Sequence, residues 1–584
     1  MKKRLLLISM LCLLISSLTM AQRNRDKSNV PKVKVKETIS KVSKTVGSSL
    51  SDVYPSASGG YWSIGAKYLG GRFVLYGIRG KSRNGYFVQS YDENLNLIEE
   101  KPLSLKVGGK FLDLHSIKKV GREFYIFLTF ENDVKKKKYL FYALFDPAEL
   151  KIDGDVFKMA EAKLGGKGYT YPSFDVQESK DKKFLVVFGK DSKKVKRTRF
   201  FNQLFSRKSA NSSGIGTHQF KFSFWVFDNK MKTINYQKNY KMEIENSSDK
   251  FYVRDYSVDE SGAVYILGKN VVVDNLSALE RRKKKSKVWK EYEKSAFVLE
   301  RVMPDGTKDQ YVTPEDILYI DMAILFNQGK DLQLVGITGE QYFNGLLCTG
   351  VSRLILDNEL YEINENSSKF DDEVLENVND VQAYEKSLKG RRKKKYDKKK
   401  ERKEKRMTEE DKKYAELRKR AALNVKSIEY AGLDENGDAT VVLEEQYLRV
   451  VTTTTRDANG NTTTTTTYYY HYEDLIFCKF IDDEVMQNFF KKSYVSVNYE
   501  LPKSLDARAL SEGDLEIVTQ QEILFADEDF KLRAAEVKAF ERKNKIAEMG
   551  RYHISVRKIT EDGQILLAAQ RKKKLAWIKI NPWK

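Results

Sequence analysis

One pattern returns along most of this chain. A turn carrying Gly, Asp or Asn leads into a run of β-branched and aromatic residues, and a second such run follows into another turn. It is plain in Phe184-Leu185-Val186-Val187-Phe188-Gly189 with Phe222-Ser223-Phe224-Trp225-Val226-Phe227-Asp228. It is equally plain in Leu332-Gln333-Leu334-Val335-Gly336 with Gly350 to Asp357. Copies run from Gly70–Asp92 to a weaker last one, Gly513–Val518 with His553–Ile559. A unit this thin cannot bury both of its faces alone, so the units must cover one another. Small sheets stacked around an axis meet that need. The expectation is an all-β fold, a β-propeller of six or seven blades with charged helical insertions. Tandem β-sandwich domains use the same turn-punctuated strands and stand as the alternative.

The N-terminus has the three regions of a secretory signal peptide over residues 1–21: Met1-Lys2-Lys3-Arg4, the apolar run Leu5 to Leu18, and the small residues of Thr19-Met20-Ala21. Its apolar run is shorter than the roughly twenty residues a membrane span needs, and no later segment is apolar enough to span. The expected location is exported: periplasmic, extracellular or associated with the outer membrane. Residues 22–52 are polar and basic and read as a flexible lead-in. Residues 53–584 form the propeller-like domain. Two cysteines remain after the leader, Cys348 and Cys478, each in an apolar stretch. They read as small buried hydrophobes, with one long-range disulfide as the alternative.

Charge is concentrated in the insertions. Lys and Arg number 104 against 82 Asp and Glu, a formal net charge of +22. Basic helical insertions are expected near 276–294, centred on Arg281, Arg282 and Lys283, and over 384–423, centred on Arg391, Arg392, Lys393, Lys394 and Lys395. The second has Glu and Lys or Arg at four-residue spacing and no broad apolar face, so it should project into solvent and be dispensable for folding. A third helix is expected at 529–549. Thr452 to Thr455 and Thr462 to Thr467, joined through Asn459-Gly460, read as a hairpin. It continues into Tyr468, Tyr469 and Tyr470 as a long polar ribbon, a candidate docking element.

The strand Glu445-Gln446-Tyr447, the Thr-rich Asn-Gly hairpin, Tyr468-Tyr469-Tyr470 and Glu473-Asp474-Leu475-Ile476 together resemble a group of exported, propeller-like proteins of Bacteroidota. The resemblance covers roughly residues 255–500, and Ile481-Asp482-Asp483 departs from it where a Gly-containing turn is the pattern. It implies the fold and the compartment. No activity is assigned to that group.

A search for chemistry finds little. His115, His218, His471 and His553 are scattered, and none has a His or Cys at metal-ligand spacing. There is no Gly-x-Ser-x-Gly elbow, phosphate-binding glycine loop or calcium loop. No cofactor is expected. The expected function is a non-catalytic exported binding or scaffold protein of the cell envelope, its ligand an envelope protein or an anionic polymer met by the basic runs. The competing class is an exported polysaccharide hydrolase or lyase using carboxylates at the propeller channel. Peripheral contact with an anionic membrane surface is a further reading. Nucleic acid is not expected as a physiological partner, because export removes the protein from most of it.

Overall fold

The computed structural model describes residues 30–581, leaving out loop segments of which the longest are 70–82, 193–221, 241–249, 272–295, 379–389, 498–504 and 538–552. The described residues form eight antiparallel sheets built on the same plan, at 49–103, 113–163, 173–240, 250–312, 319–369, 428–490, 506–536 and 553–581. These are blades 1 to 8, and the strands of each are called a to d from the axis outward, the d strand of blade 8 being Lys36–Ile39. Neighbouring a strands touch one another around an axis, and the sheets run outward from them.

The middle strands are apolar without interruption because both of their faces are covered. In strand b of blade 3, Phe184–Lys190, the side chains of Leu185 and Val187 enter the core shared with blade 2. The intervening Val186 and Phe188 enter the core shared with blade 4. Strand c of blade 6 divides in the same way. Ile476, Cys478 and Phe480 face blade 5, while Leu475 and Phe477 face blade 7. Side chains alternate across a strand, so a continuous apolar run is what a doubly covered sheet demands.

Eight such cores link consecutive blades, and the eighth closes the ring. There Leu566, Ala568 and Trp577 of blade 8 meet Val53, Phe87 and Tyr91 of blade 1, with the Trp577 and Tyr91 rings edge-on at 5.5 Å. The fold is a closed eight-bladed propeller, which excludes separate sandwiches.

The blade count corrects the expected six or seven. The runs 513–518 and 553–559, read above as one unit, fall in different sheets: Leu515–Val518 is in blade 7 and His553–Ile559 is in blade 8. Blade 7 is built of strands only four or five residues long, too short to stand out as a separate repeat. The expected flexible lead-in at 22–52 is also corrected, from Lys32 onward. Lys32–Lys34 lies parallel to Leu532–Glu536 on the outer edge of blade 7, and Lys36–Ile39 is the fourth strand of blade 8. Ser40 then donates its amide to Trp577 O at 3.0 Å, and its Oγ accepts the Trp577 amide at 2.9 Å. The basic composition hides Val33, Val35 and Ile39, which alternate with charged residues and pack on the blade 7–8 core. That alternation marks a half-covered edge strand.

Of the expected helices, the one at 529–549 is corrected where it is described: Leu532–Glu536 is a strand. Its apolar residues Leu532 and Ala534 alternate, which suits a sheet edge. The insertion at 276–294, the strand at 71–77 and the leader at 1–21 lie outside the described residues. The connection from blade 5 to blade 6 holds helix α1, Asp372–Val378, ahead of the expected insertion, and helix α2, Gly390–Glu404, within it. It is not detached from the core. Leu417 and Ala421 pack with Leu347, and the fully buried Ala422 bridges Cys348 through an amide-to-carbonyl bond of 2.9 Å. The expectation that all of 384–423 projects into solvent is therefore corrected at its C-terminal end.

Antiparallel meanders of four strands place all a–b and c–d turns at one end of the ring, and all b–c and d–a connections at the other. The first end is the turn face, where no connection exceeds five residues. Five of its turns share one geometry. In those starting at Asp92, Asp228, Asp259, Asp357 and Asp434, the carboxylate accepts the amides two and four residues ahead at 2.8 to 3.0 Å. The fourth residue has positive φ in each: Leu95, Met231, Gly262, Leu360 and Gly437. The other end, the insertion face, carries every long connection.

Candidate functional site

Two places have the ingredients of a site: the axial lining of blades 1 and 3 to 5, and the insertion face.

Along the axis, four a strands carry an aspartate at a matching place: Asp52, Asp175, Asp255 and Asp321. One carboxylate oxygen of Asp52, Asp175 and Asp255 accepts the amide of its own next residue, at 2.7, 3.0 and 2.9 Å. The other oxygen crosses to a neighbouring blade. Asp175 accepts the Tyr256 hydroxyl, and Asp255 accepts the Ile324 amide at 2.9 Å. Asp321 accepts the Ile428 amide at 3.2 Å, with Arg254 Nε 3.4 Å from its other oxygen. Asp52 receives Lys558 Nζ at 3.2 Å across the ring closure. Local strand irregularities help, because a register shift falls just before Asp52, Asp255 and Asp321 and turns the carboxylate toward a neighbouring blade.

Ionisation is perturbed here. Burial pushes the Asp255 carboxyl up to about 6, the Ile324 and Tyr256 amides oppose this, and the charges of Asp321 and Asp175 add to it. Burial raises Asp321 as well, against the pull of Arg254. Lys269 reaches in from strand b of blade 4 and donates to Tyr319 O at 2.5 Å. Burial, then the neighbouring Arg254, bring its ammonium down to about 7. His115 on blade 2 and Lys190 on blade 3 are also lowered, in both cases chiefly by burial. In chemical terms this is a set of inter-blade latches, since both oxygens of each of the four aspartates are engaged. Composition and spacing do not single out these residues. The available signal is an Asp inside an apolar strand just ahead of a Gly or Asp turn, as in Val253-Arg254-Asp255-Tyr256-Ser257-Val258-Asp259.

The basic candidates fall on the insertion face. Arg391, Arg392, Lys393, Lys394 and Lys395 lie in α2 within the connection from blade 5 to blade 6, and Lys393 and Lys394 are exposed. Lys135 and Lys136 are exposed in the b–c turn of blade 2. Arg281, Arg282 and Lys283 lie outside the described residues, in the b–c connection of blade 4.

The ribbon forms as expected and belongs to the same face. Strands b and c of blade 6, Ala439–Arg456 and Thr462–Ile481, run far past the sheet body. Thr452 and Thr454 face Thr466 and Thr464 with hydroxyls 3.4 Å apart. Tyr468, Tyr469 and Tyr470 oppose Val450, Arg449 and Leu448. A third strand, Tyr494–Val497, braces Tyr469 and Tyr470 from the other side. His471 stacks on Tyr447 at 4.3 Å, and both contact Glu473. Lys492 pairs with the buried Glu444 at the foot of the ribbon.

Cys348 and Cys478 are free thiols in the core between blades 5 and 6, and burial pushes both upward. Among the described residues no group of His, Cys, Asp and Glu is arranged to hold a metal, and no helix is long and apolar enough to cross a membrane.

No family model matches the chain, and no curated protein does. Solved structures that match include the Dos1 propeller, at 8% identity and a TM-score of 0.39 over 93% of this chain and 94% of that one. The β-propeller domain of the Trilobed protease from Pyrococcus furiosus matches at 10% identity and a TM-score of 0.29, over 77% and 96%. A PL25 ulvan lyase matches at 10% identity and a TM-score of 0.30, over 54% and 68%. The architecture of this chain stands on its own eight sheets and the cores between them.

Proposed function

We propose that the protein is a non-catalytic scaffold of the cell envelope, exported by its N-terminal leader, which binds an anionic partner through the insertion face. One observation carries the reading: the two ends of the ring are unlike. The turn face is trimmed to short, Asp-capped turns, while α2, the ribbon and the basic turn of blade 2 all leave from the opposite end. Lysines displayed on one face gain from releasing the counterions of an anionic partner, and that gain shrinks with salt. The resemblance to exported propeller-like proteins supports the compartment.

The test is retention on dextran sulfate across a salt gradient. Protein with Lys135, Lys136, Lys393 and Lys394 replaced by Gln should elute at lower salt than the parent. Equal elution overturns the reading.

The gathering of Asp175, Asp255 and Asp321, with Asp255 shifted upward, favours a second reading, a polysaccharide hydrolase or lyase working at the axis. Their engagement in latches weighs against it. Cleavage of an acidic polysaccharide that disappears in a folded Asp255→Asn variant would establish the second reading instead.

A further inference from the structure

The insertion face carries exposed apolar side chains set among lysines. The d–a connection from blade 1 to blade 2 contains a small hairpin in which Lys106 pairs with Phe111 and Val107 with Lys110, closed through Gly109 at φ 78°. Phe111 is 55% exposed there. Lys110 Nζ lies 5.2 Å from the centre of the Phe130 ring, which sets the hairpin beside the strand ends of blade 2.

Those strand ends lead into the turn Asp133-Val134-Lys135-Lys136, and Val134 at its tip is 93% exposed. The turn is tightly held. Asn132 Oδ1 accepts the Lys135 amide at 2.9 Å, Lys136 has φ 50°, and the Leu164 amide donates to Lys136 O at 2.8 Å. Turn tips ordinarily carry Gly, Asn, Asp or Ser for conformational reasons. A valine held outward in a fixed turn, with lysines next to it, needs another explanation. Lys137 and Lys138 in the same run already have Glu161 and Glu131 as partners, at 2.5 and 3.6 Å. Lys135 and Lys136 point to solvent beside the valine.

We infer that this rim docks on an anionic lipid bilayer, with Phe111 and Val134 entering the interface and Lys106, Lys110, Lys135 and Lys136 meeting the headgroups. The inference rests on the proposed anionic partner and names it. Charge complementarity chooses the occupant: cationic side chains alone would suit any acidic polymer, but two exposed apolar side chains among them, Phe111 with Lys106 Nζ 5.5 Å from its ring centre and Val134 at a turn tip, gain only where hydrocarbon is within reach.

The experiment is cosedimentation of the whole protein with vesicles of phosphatidylcholine and phosphatidylglycerol at 7:3, against vesicles of phosphatidylcholine alone. Binding is expected to the first only. The charge-neutral pair Phe111→Ser with Val134→Ser should weaken it ~10-fold, with unchanged retention on dextran sulfate. Val134→Trp should tighten it several-fold. Both sites are exposed, so thermal unfolding serves as the folding control. Vesicle binding that neither the Ser pair nor Val134→Trp alters refutes lipid insertion and leaves the anionic-partner reading standing. Loss of dextran sulfate retention by the parent itself refutes that broader reading.

Discussion

The long basic insertion should divide into two parts with opposite thermodynamic weight. Consider two variants of equal loop length, one with residues 390–404 replaced by a Gly/Ser linker and one with residues 416–423 so replaced. The first removes α2, whose Lys393, Lys394, Asp397, Lys398 and Glu401 are exposed. Exposed positions of this kind change stability by about 0.5 kcal/mol or less each way. The second strips Leu417 and Ala421 from Leu347, and Ala422 from the core between blades 5 and 6; the three are 9%, 0% and 0% exposed. Burying a leucine contributes about 1.5–3 kcal/mol and each alanine methyl about 0.8. The Ala422–Cys348 backbone bond adds about 1. The second replacement should therefore cost about 4–6 kcal/mol, a large share of the 5–15 kcal/mol typical of a whole domain. Urea unfolding followed by far-ultraviolet circular dichroism measures both. The reasoning fails if the two variants share a midpoint, or if replacing α2 costs as much as replacing its base.

Three further outcomes are expected. The Asp255 carboxyl has a raised pKa in the folded protein, so between about pH 3.8 and 6 the folded state holds a proton that the unfolded state has lost. Stability should fall as pH rises through that window and level off above it; a melting-temperature profile in which Asp255→Asn keeps the same fall would contradict this. Starting the chain at residue 45 removes the outer strands of blades 7 and 8 along with Val33, Val35 and Ile39, a loss of about 3 kcal/mol or more. Calorimetry should show the drop, a peptide of residues 30–44 should reverse it, and an unchanged transition would show that the N-terminal strands do not close the ring. Shortening the ribbon by replacing 450–467 with a tight turn should leave the unfolding free energy within about 0.5 kcal/mol, because Thr452 to Thr455 and Thr462 to Thr466 are exposed. A larger drop would mean that the tip packs on the body.

How much of this is readable from the chain depends on how local each signal is. The b and c strands of blades 2 to 6 announce themselves because both faces are covered and the runs are apolar throughout, as in Leu185 to Phe188. The Thr ribbon is equally local, since its two strands are neighbours in sequence and pair Thr with Thr. Blade 7 escapes notice because strands of four residues, such as Leu515–Val518, carry too few residues to show a period. The lead-in is misleading because Lys32–Lys34 and Lys36–Ile39 find partners near the far end of the chain, and nothing nearby in sequence records that. Asp175, Asp255 and Asp321 are invisible for a related reason: an acid in a strand gains meaning only once the next blade presents an amide or a hydroxyl to it. The third expected helix fails where tertiary pairing claims Leu532–Glu536, overriding a local composition that suits a helix.

The seam in blade 8 sets a timetable for the molecule. Its fourth strand, Lys36–Ile39, is made more than 500 residues before the strand it pairs with, Lys574–Asn581. At ordinary rates of synthesis the interval between them is roughly half a minute to two minutes. Throughout that interval blades 1 to 6 can assemble in order, but the growing arc has a raw end and an idle leading segment. Until blade 8 is complete the arc therefore has an open edge, which can pair with a neighbouring molecule.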